Sequence, residues 1–233
     1  MIQARQGSKR FRNKVLSKIN NSELIYIQFK RLKKIKSKKK IVFLIQNKNN
    51  QQLKKFLIKK NINFFSGDEN NVLSRYYYAA KKFKANHIIR LTGDCPLIDF
   101  RLVDHLIKKF KLSKVDYISN TFKRTFPHGM DMEIFTFKTL EKILNLTKSS
   151  YDREHVTSFL NKNRSKFVTK NYVQSSNEKK FRITVDYNED LQVIEKVINN
   201  FKPDIYFSSK QIVNFLKKNP HITKLNSIHK IYN

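Results

Sequence analysis

Two aspartates carry the most suggestive chemistry in the chain. Asp94 lies in His87-Ile-Ile-Arg-Leu-Thr-Gly-Asp-Cys-Pro-Leu-Ile-Asp99, a stretch that changes character in its middle. Ile88, Ile89 and Leu91 read as a strand buried on both faces, and Gly93-Asp94-Cys95-Pro96 ends it, because proline cannot donate to a sheet. Asp186 follows Phe181-Arg-Ile-Thr-Val185, which alternates as a strand should, and begins a turn that opens an amphipathic helix. An aspartate after a strand is ordinarily a helix cap. Two of them at strand ends are also what Mg²⁺ on a polyphosphate requires, since that cation takes hard oxygen ligands. In an open parallel sheet the carboxyl edge is where ligands bind.

A basic loop near the start of the chain complements the carboxylates. Met1-Ile-Gln-Ala4 is the stub of a strand, and Arg5-Gln-Gly-Ser-Lys-Arg10 follows, with Lys14 soon after. Gly7 permits close backbone approach, Ser8 adds a hydroxyl, and Arg5, Lys9, Arg10 and Lys14 could neutralise a triphosphate. In so basic a protein four cations alone say little.

The elements that would position these groups alternate in type. Ile41–Ile45, a short run at Asn63-Phe-Phe65, and the Asp94 strand are separated by helical patterns. The helices are marked by Ile25, Phe29 and Leu32 (with Ser22 as the expected cap), by Leu53, Phe56 and Leu57, and by Val72, Leu73, Tyr76, Tyr77, Ala80 and Phe83. The alternation predicts a mostly parallel central sheet with helices on both faces, a Rossmann-like α/β fold. Leu102 to Phe110 supplies a further helix and Val115–Ser119 a further strand. Thr125–Phe135 breaks the pattern: Pro127 and Gly129 make a turn, and Asp131, Glu133 and Phe135 share one face of the strand after it. Tyr151-Asp-Arg-Glu-His155 opens a helix, and the last one runs from about Ser208 to Lys218. No glycine- or serine-rich linker interrupts the 233 residues, so the chain reads as one domain, 1–233.

The formal charge of +31 invites a nucleic-acid reading. Lysines outnumber arginines 38 to 11 and are spread along the chain with 24 asparagines. Lys, Asn, Ile and Phe have codons rich in A and T, so genomic composition accounts for the profile without a dedicated basic surface. Only Arg31–Lys40 is dense, and it reads as the solvated end of a helix plus a loop. No sequence-selective nucleic-acid partner is expected. The single cysteine, Cys95, excludes a disulfide framework and a cysteine-based zinc site. With no membrane-length apolar run and no apolar signal region, a cytoplasmic protein without a membrane partner is expected.

Six ordered blocks resemble a known family. They are Gln3–Arg10 with Lys14–Leu16, Val72–Tyr77, Arg90–Asp99, Phe126–Phe135, Arg153–Val156 and Thr184–Leu191. Together they look like the spore-coat polysaccharide biosynthesis protein F family, grouped with the acylneuraminate and 3-deoxy-manno-octulosonate cytidylyltransferases. The resemblance implies a nucleotide-diphospho-sugar transferase fold and transfer of CMP from CTP to a sugar acid, with loss of pyrophosphate. By block matching, Arg5, Gly7, Ser8, Lys9, Arg10, Lys14 and Thr92 would hold the nucleotide, with Arg10 and Lys14 acting in catalysis. Asp94 and Asp186 would hold Mg²⁺, and Asp131, Glu133, Arg153 and His155 would line the sugar side. A homodimer is expected.

The chain departs from the family pattern at Arg12-Asn13, where Pro-Gly is usual; asparagine tolerates left-handed backbone better than most residues. It also has only Met1 and Ile2 where the family carries several apolar residues, which leads to the expectation of a natural start upstream. Two competing functions are a nucleotide-sugar-dependent glycosyltransferase of similar fold and a basic nucleic-acid-binding module. The first would leave the arginine-rich loop without a γ-phosphate to hold.

Overall fold

A computed structural model describes residues 1–7 and 10–229. Strand β1 (Ile2–Gln3) is followed by a small antiparallel ribbon of β2 (Lys18–Ile19) and β3 (Ser22–Glu23), which leads into α1 (Leu24–Lys33). Then come β4 (Phe43–Gln46), α2 (Gln51–Lys59), β5 (Phe64–Gly67), α3 (Val72–Lys82), β6 (His87–Thr92) and α4 (Phe100–Leu112). The later part holds β7 (Tyr117–Ser119), β8 (Glu133–Thr136), α5 (Phe137–Leu146), α6 (Ser150–Glu154), α7 (Ser158–Lys162) and β9 (Thr169–Asn171). It closes with α8 (Asn188–Phe201), α9 (Ser209–Lys218) and α10 (Pro220–Lys224).

Seven strands form one sheet in the order β5-β4-β1-β6-β8-β7-β9. The first four are mutually parallel, β8 runs antiparallel to both β6 and β7, and β9 is parallel to β7. This is the mostly parallel, Rossmann-like α/β sheet that the strand–helix alternation predicts. Period-2 alternation divides its side chains between two cores. Ile2, Phe43, Ile45 and Leu91 face one core with residues of α1, α2, α4, α8 and α9. Val42, Leu44, Ile88, Tyr117 and Phe135 face the other with α3 and α5.

β1 is short but central. Ile2 and Gln3 pair with Phe43 and Leu44 on one side and with Leu91 and Thr92 on the other. The chain leaves its carboxyl end at Ala4, beside the end of β6, and Gly93 makes the closeness possible. A Cβ there would lie 3.1 Å from the Ala4 Cβ and 3.2 Å from the Gln3 carbonyl oxygen.

Three local expectations change. Ser22 is part of β3 rather than a cap, and Glu23 precedes α1 with no side-chain capping bond. Arg31 is fully buried instead of solvated: its guanidinium donates to the carbonyls of Leu97, Ile98, Ile205 and Phe207, tying α1 to two connections. Phe181–Val185 is extended but is not a strand of the sheet. It forms one parallel bridge, His128 to Arg182, and the Val185 N–H donates to the Asp94 carbonyl at 2.8 Å. Gly129 permits that crossing, since its φ is +108° and a Cβ would stand 2.6 Å from the Ile183 carbonyl oxygen. Among the described residues no helix is long and apolar enough to cross a membrane.

Candidate active site

The two aspartates meet over the carboxyl edge of β1 and β6. Asp94 sits in the turn after β6; Asp186 ends the extended segment that crosses this turn. Lys14 lies in a short 3₁₀ turn, Lys14–Leu16, and its ammonium reaches both carboxylates, 3.1 Å from Asp94 Oδ2 and 2.8 Å from Asp186 Oδ1. Burial opposes the charge on Lys14, but the two carboxylates outweigh it and hold its pKa above the ordinary lysine value. Burial likewise opposes ionisation of both aspartates. Lys14 with the Thr92 hydroxyl keeps Asp94 below the ordinary value, and Lys14 with Arg10 and Arg182 does so for Asp186.

Each partner has its own support. Gln28, fully buried on α1, donates to the carbonyls of Thr92 and Cys95 and so fixes the Asp94 turn. The Thr184 hydroxyl donates to the Asp94 carbonyl at 3.1 Å. Asp190, fully buried in the first turn of α8, accepts from the backbone N–H groups of Asp186 and Tyr187. It also pairs with Arg182, which in addition reaches Asp186 Oδ2 at 2.9 Å and His128 Nδ1 at 3.2 Å. Arg10 reaches Asp186 at 3.4 Å and lies 5.1 Å from the centre of the Tyr187 ring.

The basic loop is closed at its base. The Gln6 N–H donates to Asn50 Oδ1 at 2.9 Å, and its side chain contacts Asn13, Gln52 and the Leu53 N–H at the start of α2. Asn13 is left-handed, φ 55° and ψ 19°, the conformation for which asparagine is the tolerant substitute. Ser8 and Lys9, both expected at the nucleotide, lie outside the described residues.

A cavity of about 640 Å³ joins these parts. Arg5, Gly7, Arg10 and Lys14 line it from the loop, Gln3, Arg90, Thr92 and Asp94 from the sheet edge, and Asp186 from the crossing segment. Glu69, Arg75, Glu154 and His155 also line it. Of the residues expected on the sugar side, only His155 is in this lining. It ends α6, its ring centre 4.3 Å from that of Tyr151.

The other three are placed differently from the sugar-facing strand that the sequence suggests. Glu133 is buried directly opposite Arg90 in the β6–β8 ladder and accepts from Arg90, Tyr117 and Thr157 (2.6 Å). Burial would raise its pKa, but Arg90 and the two hydroxyls keep it below the ordinary glutamate value. Asp131 pairs with Arg124 through both oxygens, and His128 Nε2 is 4.0 Å away. Arg153 reaches the Thr147 carbonyl, 3.3 Å away, beyond the end of α5. Arg75 and Arg90 were not singled out in the sequence as site residues, although both fall inside the matched blocks. Arg75 donates to the carbonyls of Asp68 and Glu69, and Arg90 stands on the same face of β6 as Thr92.

The family model described as Cytidylyltransferase matches residues 1–224. The chain belongs to the cytidylyltransferase family. It is similar to a cytidylyltransferase structure from Leptospira borgpetersenii serovar Hardjo-bovis, with 32% identity and a TM-score of 0.92, covering 100% of this chain and 97% of that one. It is also 28% identical to the spore coat polysaccharide biosynthesis protein SpsF of Bacillus subtilis, over 94% of each chain. A more distant structure, CMP:2-keto-3-deoxy-manno-octonic acid synthetase complexed with CTP, shares the fold at 13% identity, with a TM-score of 0.68 over 85% of this chain and 97% of that one. Cytidylyltransferases are nucleotidyltransferases, the reaction class expected from the six blocks.

Whether the cytidylyltransferase site suits a divalent cation is tested by its own geometry. Two carboxylate oxygens from separate segments already converge on one cationic atom, the Lys14 ammonium. Among the described residues no group of three or more His, Cys, Asp or Glu side chains could hold a metal. One or two carboxylates completed by substrate phosphates is the usual protein share for Mg²⁺. The residues fit.

Proposed function

We propose that the protein transfers CMP from CTP to the hydroxyl of a sugar acid, releasing pyrophosphate, and that the product serves surface polysaccharide assembly. One observation carries this reading: a cavity in which a basic loop faces a pair of carboxylates already converging on a cation. The names of the Bacillus subtilis relative and of the octonic acid synthetase support the pathway and the substrate class.

In this reading the sugar oxygen forms a bond to the α-phosphorus while the bond to the oxygen bridging the β-phosphorus breaks. Arg5, Arg10 and Lys14 bind the phosphate oxygens, and the backbone of Gly7 lets them approach closely. Thr92 orients Asp94. Asp94 and Asp186 would hold Mg²⁺, which when bound supplies Lewis-acid neutralisation of polyphosphate charge. Such a step needs positioning and fixed opposite charge more than covalent help from the protein. His155, the imidazole in the cavity lining, takes the hydroxyl proton. Glu133 contributes by holding Arg90 at the sheet edge.

Pyrophosphate release tests the reading. CTP, ATP, GTP and UTP are each offered with a panel of nonulosonic and octulosonic acids, with Mg²⁺ and with EDTA. Release with CTP and one of the acids, abolished by EDTA, is the expected result. Release with another nucleotide, or none with any acid, overturns it.

A further inference from the structure

The groups assigned to phosphate and those assigned to metal are engaged with one another. Lys14 is held by Asp94 and Asp186, and Asp186 accepts from Arg10 and Arg182 as well. Lys14 is a buried residue, 8% exposed, and its carboxylate partners come from segments joined only through tertiary contacts. Without a positive charge between them, two half-buried carboxylates would repel; with Lys14 there, the pair is preassembled. The same ammonium stands where a cation shared by both carboxylates would stand, and it cannot serve phosphate and both aspartates equally.

We infer that Lys14 is a place-holding cation which metal and nucleotide displace together. The inference rests on the CTP and Mg²⁺ reading above and adds a thermodynamic consequence to it. Metal takes Asp94 and Asp186 only as Lys14 gives them up, and Lys14 gives them up most readily when phosphate receives it. Metal and nucleotide binding are therefore positively coupled, while either alone meets a site already satisfied. Reciprocity follows: neutralising the carboxylates must free Lys14 for phosphate, and neutralising Lys14 must free the carboxylates for metal.

Two binding measurements, neither of them turnover, test the exchange in variants that keep wild-type thermal unfolding. The first follows free Mn²⁺ by electron paramagnetic resonance with no nucleotide present. Coupling between linked sites is typically about 5–150-fold, so Lys14→Gln should bind Mn²⁺ about tenfold or more tightly than wild type. Lys14→Arg, which keeps the charge, should stay near wild type. Equal or weaker Mn²⁺ binding by Lys14→Gln overturns the inference.

The second measures CTP binding in EDTA by equilibrium dialysis, and it decides the matter should Lys14→Gln fail to fold. Asp94→Asn and Asp186→Asn should each bind metal-free CTP more tightly than wild type, although both are expected to lose turnover. Unchanged or weaker binding by both overturns the inference. If no form of the protein binds CTP while the Mn²⁺ result holds, the nucleotide assignment falls and the exchange stands.

Discussion

The two halves of the sheet use charge in opposite ways. In the parallel half, β5-β4-β1-β6, charged groups stand on connections beyond the strand ends and point into the cavity, as Arg5, Arg10, Lys14 and Asp94 do. In the half built on antiparallel β8, acids that look equally functional are paired away from the cavity. Glu133 is enclosed by Arg90, Tyr117 and Thr157, and Asp131, partly exposed, is paired with Arg124. The difference follows from direction. A parallel strand delivers its carboxyl end to the ligand edge, whereas β8 runs the other way and directs Glu133 sideways onto its ladder partner. A carboxylate's position in a strand is therefore a poorer guide to its role than the strand's direction.

The largest test of this contrast lies at the parallel edge. Asp94→Asn and Asp186→Asn should each lower kcat by about 10³-fold, in the range found when a preorganised charge-stabilising group is removed. The double variant should be little worse, because the two act as one unit. Steady-state pyrophosphate release checks this, and a single variant that keeps activity with normal unfolding removes that residue from the chemistry.

On the other half the loss should appear first in stability. Glu133→Gln leaves the partly buried Arg90 without its counter-charge, at a cost of about 3 kcal/mol, no more than the lower end of the range for a broken buried pair. Urea unfolding measures it. Normal stability with abolished turnover would show Glu133 to be a substrate contact and erase the contrast.

A smaller effect tests the join between the halves. Gly129→Ala must place a Cβ against the Ile183 carbonyl at a positive φ, costing about 1–3 kcal/mol. Because Ile183 lies on the segment that carries Asp186, kcat should fall as well. A neutral result in both would mean that the crossing adjusts freely.

The smallest effect is in acid. Glu133 titrates below its ordinary value of 4.5 in the folded protein. Its contribution is therefore complete above the unfolded value and is lost as pH falls through the folded one, where the unfolded chain binds the extra proton. Urea midpoints from pH 6 to pH 3 should fall more steeply for wild type than for Glu133→Gln. Parallel slopes would show that Glu133 is not held ionised by its partners.

Most of the parallel half was legible in the chain. The strand–helix alternation and the Gly93-Asp94-Cys95-Pro96 break are local signals. So is the replacement at Asn13, whose left-handed backbone the structure contains. The Asp186 segment was half legible: it is extended and ends where expected, but alternation cannot distinguish a sheet strand from a chain that docks on one bridge. The same holds for Arg31, which belongs by composition to a basic surface run and in space to four backbone carbonyls.

By itself, the sequence determined which residues could carry charge to a phosphate and where each strand must stop, because glycine, proline and side-chain type act over a few neighbouring positions. Only the tertiary structure decided which charges remain available to a ligand. Pairing of Glu133 with Arg90 depends on strand direction and register, and pairing of Lys14 with Asp94 and Asp186 and of Arg182 with Asp190 on how the connections dock against one another. A buried charge must find its partner wherever the fold brings one, at whatever distance along the chain.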